Sequence, residues 1–186
     1  MAELRVTFAL SDRDLKHFRQ VMRQATAAAR GRSEEEIRQA ALAKTREVRA
    51  AEAPAYVLER IEMLETIISM VEDKDWVLPG SVRPRVLTAL AYFLDPVDLI
   101  PDHIPGFGFL DDAIMIELIA NELRHELSGY RDFCRFRERE RPRRHPSSRA
   151  LEVRLVAKRK QLRGRIQGRQ ARVQDRTKSE RRFRLW

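Results

Sequence analysis

The chain has 186 residues, 43% hydrophobic and 35% charged, with seven Gly and eight Pro; this globular composition has room for a sizeable core and excludes a low-complexity chain. The net charge of +9 is unevenly held: residues 141–186 carry 17 Lys and Arg against Glu152, Asp175 and Glu180, a balance of +14, which leaves −5 on residues 1–140. The single cysteine, Cys134, excludes an intramolecular disulfide and a multi-cysteine zinc site and agrees with a reducing cytoplasm.

The opening MAELRVTFAL lacks the apolar core of a signal peptide, so export is not expected. Within it, residues 4–10 alternate, with Val6 and Phe8 on one side, as a short strand or an extended arm would. Ser11 and Asp14 have the form of a capping box, which predicts a helix from Asp12 to near Gly31 with Leu15, Phe18, Val21, Met22 and Ala25 at helical spacing. Ser33 followed by Glu34, Glu35 and Glu36 repeats the start signal, with acids where the helix dipole favours them. This second helix should run to about Glu52, and its thin apolar face, Ile37, Ala40, Ala41, Val48 and Ala51, suits an outer position. A third opens at Pro54 and places Val57, Ile61, Leu64, Ile68 and Val71 on a core stripe. Residues 73–84, with Trp76, Pro79, Gly80 and Pro84, read as a loop.

Two apolar segments follow. Val86, Leu87, Leu90, Phe93 and Leu94 mark one helix; its run of residues 86–94 is about half of the roughly 20 needed to span hydrocarbon, so no ordinary transmembrane helix is expected. The next helix, started by Asp111 or Asp112, is apolar around most of its circumference as far as Leu127, which predicts the most buried element. The connector between them is dense in Asp, Pro and Gly. Helical spacing resumes through Tyr130, Phe133 and Phe136 before Pro142.

The connector's carboxylates are the ligand type that magnesium or calcium prefers. Their spacing lacks the calcium-loop pattern, however, and capping accounts for Asp95 with Asp98 and for Asp111 ahead of an apolar helix. Glu117, Asn121 and His125 share one helical face, and Glu122 with His125 has the spacing of a helix-bundle metal motif, but that motif needs a second copy. The chain has no glycine-rich phosphate loop, nucleophile elbow or HExxH. No catalytic residue and no cofactor is expected.

Tyr92, Asp95, Pro96, Asp98, Ile100, Pro101, Asp102, Ile104, Pro105, Gly108, Asp111 and Asp112 make up a motif of the pattern YxxxPxDxIPDxIPxxGxxDD, with Asp95 at one of its variable positions. This pattern resembles the YkvA-like family of bacterial domains of unknown function. The resemblance covers about 40 residues. It implies a small helical domain and, in some relatives, association with membranes; it supplies no reaction.

Beyond the linker RPRRHPSSR, Leu151, Leu155, Leu162, Ile166 and Val173 make a sparse apolar stripe. It runs among Arg154, Lys158, Arg159, Lys160, Arg163, Arg165, Arg169 and Arg172, followed by Lys178, Arg181, Arg182 and the terminal Trp186. Gly164 and Gly168 each cost a helix about 1 kcal/mol relative to Ala, so this tail is expected to be disordered or to become helical on a partner. Cations at this density neutralise phosphate, and Arg stacks on exposed bases, which suits RNA. An anionic lipid surface offers the same charge.

The sequence therefore predicts an all-α fold, a single compact bundle of five to six helices over residues 1–140 with a basic tail over 141–186. The leading functional expectation is a non-enzymatic adaptor that binds RNA, on the ribosome or elsewhere, through the tail. The alternatives are a peripheral membrane protein on anionic lipid and an ion-binding domain that uses the connector. The acidic body offers a surface for a protein partner.

Overall fold

Ser11 and Ser33 both begin helices as their sequence context predicts. The Ser11 N–H donates to Asp14 Oδ2 at 2.8 Å and opens α1 (Asp12–Ala28). Ser33 and Glu36 close a reciprocal capping box on α2 (Glu34–Ala50), and the Ser33 N–H lowers the Glu36 pKa by stabilising its carboxylate. The computed structural model describes residues 9, 11–28, 30–51, 53–94, 100, 104, 107–140 and 148–183. The expected strand or arm over residues 4–10 lies outside these, apart from Ala9.

After α2 come α3 (Ala55–Glu72), α4 (Arg83–Leu90) continued by a 3-10 turn (Ala91–Leu94), α5 (Leu110–Glu122), α6 (Arg124–Glu140) and α7 (Ser148–Phe183). The all-α expectation holds. Among the described residues there are seven α-helices and no strand, which corrects the expected five to six. One extra helix arises because the apolar run that was read as continuous breaks at Leu123, which caps α5 with φ −94°, ψ 8° and donates to Ile119 O. Leu127 therefore belongs to α6. Another is α7, a continuous helix over most of the basic tail.

The predicted stripe of α3 is the centre of the core: Val57, Ile61 and Leu64 are fully enclosed, and Ile68 and Val71 are buried. α2 and α5 pack on α3. α2 is more enclosed than its thin apolar face suggested, because Ala41 lets it approach closely and Lys44 and Thr45 are buried beside Ile37 and Val48. The Thr45 hydroxyl satisfies itself on Leu42 O at 2.8 Å. α5 is not covered all round: Met115, Ile116 and Ile119 are sealed, while Ile114 and Leu118 are half-buried along a cleft facing α1.

The start of α5 departs from the capping expectation. Phe109, not Asp111, is the N-cap, with a left-handed φ of 62° that a bulky residue adopts only under constraint. Its ring is buried, with the Lys44 ammonium 5.5 Å from the centroid. Lys44 Nζ also pairs with Asp112 at 3.3 Å and with Glu47 at 3.2 Å, and Asp111 Oδ2 accepts the Ile100 N–H at 3.2 Å. The two aspartates thus bind the end of the connector and α5 to α2.

Because Lys44 and Asp112 are only 5% and 3% exposed, removing Lys44 takes from the Asp112 carboxylate a cation buried beside it. Lys44→Met should cost about 3–5 kcal/mol in urea denaturation, and Lys44→Met with Asp112→Asn should recover most of that loss.

Candidate functional site

The basic tail becomes a helix because the body supplies a seat for it. That seat is built from the loop read only as a connection. Asp73 Oδ1 accepts the N–H groups of Asp75 and Trp76 at 2.9 and 3.1 Å, a local turn that directs the Trp76 side chain inward. Trp76 is wholly enclosed, its ring 5.8 Å from Tyr130 and 5.3 Å from Phe133 of α6. The Tyr130 hydroxyl donates to Asp73 Oδ2 at 3.1 Å, and Arg137 pairs with the same carboxylate at 2.8 Å. Burial opposes ionisation of Asp73, but the bonds from Arg137 and the Trp76 N–H outweigh it and hold its pKa below the ordinary carboxylate value.

α7 lies along α6 and closes this seat with Leu155, Leu162 and Ile166, all buried. Arg163 lays its guanidinium over Trp76 at 4.0 Å from the ring centroid and pairs with the buried Glu126. Burial lowers the Arg163 pKa, yet an arginine stays charged there. Arg154 reaches Glu140 at 3.2 Å, Arg159 donates to Asp75 O at 2.8 Å, and Lys158 sits 5.4 Å over Phe136. The partner that orders the tail over this stretch is the body itself.

The sequence-predicted cations therefore fall into two groups. Arg154, Lys158, Arg159 and Arg163 hold α7 in place. Lys160, Arg165, Arg169 and Arg172 are exposed and have no carboxylate partner among the described residues. At about 100° per residue, the side of α7 away from the body carries Arg149, Val153, Val156 and Lys160, then Gly164. Val153 and Val156 are 63% and 46% exposed. Lys178, Arg181 and Arg182 lie on the α7 backbone, and Trp186 lies outside the described residues.

Of the twelve motif positions, Tyr92, Gly108, Asp111 and Asp112 are buried, and Ile100 and Ile104 are the other two described. Asp95, Pro96, Asp98, Pro101, Asp102 and Pro105 lie outside the described residues. No group of three or more His, Cys, Asp or Glu placed to hold a metal occurs among the described residues. Glu117 is engaged by Arg60 at 2.8 Å and by Asn121 at 3.1 Å. His125 Nε2 is buried without a hydrogen-bond partner among the described residues, and burial, with Arg124 nearby, lowers its pKa.

A family model described as "Protein of unknown function (DUF1232)" matches residues 84–118, which run from α4 into α5. An "Uncharacterized membrane protein YkvA" of Bacillus subtilis (strain 168) is 37% identical over 76 residues, covering 38% of this chain and 70% of that protein. The chain belongs to the YkvA-like family. The described residues of the segment matched by the family model are mostly buried in this YkvA-like protein, and α7 lies beyond that segment. No solved structure matches.

Trp76, Asp73 and Glu126 were missed by sequence reasoning. The one available signal was a large aromatic in a loop, three residues after an Asp able to set a turn.

Two outcomes follow from this seat. Arg163→Met leaves Glu126 buried and unpaired and should cost about 3–5 kcal/mol, with amide exchange rising more over residues 155–166 than in α3. Asp73, whose folded pKa is depressed, contributes stability that is present above its ordinary pKa of 3.8 and is lost as the pH falls further. Asp73→Asn should flatten that acid limb in a pH series of thermal melts.

Proposed function

We propose that this protein is a non-enzymatic peripheral membrane protein that rests on anionic lipid through the outward side of α7. The observation that carries the reading is the exposed pair Val153 and Val156 beside Arg149 and Lys160, which the body does not engage. Interfacial helices have this composition: a modest apolar strip enters the headgroup region while Lys and Arg at its edges meet lipid phosphates. No helix of the described residues is long and apolar enough to cross a membrane, and the Bacillus relative is called a membrane protein. Attachment to a surface is compatible with both.

Magnitudes give the strip a purpose. Arg149 and Lys160, which share the valine side, supply roughly 1 kcal/mol each on an anionic surface, about 2 kcal/mol together. That alone is weak binding and sensitive to salt, so burial of the two valines matters.

RNA is the second reading. Arg165, Arg169 and Arg172, spaced by four and three, place phosphate-sized charges along one edge of the helix. The outward stripe from Arg149 to Gly164 offers valines where base stacking would need aromatics, and this favours lipid.

Sedimentation with phosphatidylglycerol vesicles should pull down the protein, phosphatidylcholine vesicles should not, and raised salt should release it. The variant Arg149→Glu, Lys160→Glu, which reverses the charges beside the valines, should stay in the supernatant. Equal sedimentation of that variant, or RNA binding in the absence of vesicle binding, refutes the reading.

A further inference from the structure

The cleft left open beside α5 has a chemical character distinct from that of α7. It encloses about 1000 Å³, at the upper end of what small-molecule sites hold (roughly 300–1,000 Å³). Its floor is apolar: Leu15 and Met22 come from α1, and Leu110, Ile114 and Leu118 from α5. These positions repeat at helical spacing on both helices, so the floor is a continuous strip. α5 is otherwise packed into the core, and this is the flank that no helix of the described residues closes.

The rim is charged, and its charge is unbalanced. Arg19, Arg23 and Arg124 line it, are exposed, and have no carboxylate partner among the described residues. The rim acids are already engaged: Glu117 by Arg60 at 2.8 Å, and Glu122 by Arg85 at 4.0 Å. Tyr56 stands at the same rim, 38% exposed.

We propose that this cleft binds one long-chain fatty acid, with the acyl chain along the α1–α5 floor and the carboxylate at Arg19 and Arg23. An unbroken apolar floor takes a flexible chain without leaving polar groups unpaired. Guanidinium groups at its edge take a carboxylate in a forked, charge-assisted geometry. A wholly apolar ligand would leave the excess of arginine unused, and a small anion would leave the floor wet. The inference is independent of α7, whose exposed cations lie on another helix.

The test uses the full chain and cis-parinaric acid, a fluorescent fatty acid, below its aggregation concentration. Fluorescence should rise saturably to one probe per chain, and palmitate should displace the probe. 1-Palmitoylglycerol, with a like chain and a neutral head, should compete about tenfold less well, and hexanoate should not compete. Arg19→Ala with Arg23→Ala alters exposed side chains only, so the fold is kept; it should abolish the preference for palmitate over the neutral ester. Ile114→Trp, checked for helicity by circular dichroism, should fill the floor and reduce probe binding. The α7 charge-reversal variant should bind the probe as the wild type does, which separates this site from membrane attachment. Absence of saturable binding, equal competition by the neutral ester, or an unchanged preference in the double arginine variant overturns the proposal.

Discussion

The Arg163 guanidinium lies 4.0 Å from the Trp76 ring centroid and is paired with Glu126, and the place of α7 depends on this contact. α7 has little intrinsic tendency to be helical on its own: it contains Gly164 and Gly168, and its apolar stripe is sparse. A desolvated cation–π contact is worth about 2 kcal/mol. Here it also covers an indole face that would otherwise be wet, with Leu162 and Ile166 buried on the same side. The same tryptophan is held from beneath by Tyr130 and Phe133, and its loop is set by Asp73. Local turn, aromatic cluster and long helix thus form one cooperative unit.

That unit also sorts charge. A chain with +14 on its last 46 residues and −5 on the rest suggests two bodies of opposite sign, yet much of the opposition is used internally. Glu126 and Glu140 meet Arg163 and Arg154, and Arg159 is bound to a backbone carbonyl. Fewer cations remain without a carboxylate partner among the described residues, and of these Arg149 and Lys160 lie beside the exposed valines. A count of basic residues favours nucleic acid; the arrangement of those that remain favours a lipid surface.

Signals that act within one helical turn were legible in the sequence. The capping boxes at Ser11 and Ser33 and the α3 stripe are local, and both took their expected form. Features that depend on distant partners were not. Nothing local marks Lys44 for burial, because its partner Asp112 lies 68 positions along the chain. Asp111 looked like a cap because nothing local reveals that Ile100 needs its carboxylate. The break at Leu123 was hidden since an apolar run reads the same whether or not the axis bends. The α7 stripe seemed too thin because its main holding contact uses an arginine, which a hydrophobicity pattern counts on the polar side.

Gly129 gives the α6–α7 pair a property beyond stability. A Cβ at that position would stand 2.6 Å from Ile166 Cδ1 and 3.3 Å from the Trp76 ring, so Ile166 packs where α6 has no side chain. A shift of one helical turn, about 5.4 Å, would bring Leu162 or Gln170 to that gap and carry Arg163 away from both Trp76 and Glu126. The gap at Gly129 and the contacts of Arg163 thus specify the same single register for α7 along α6.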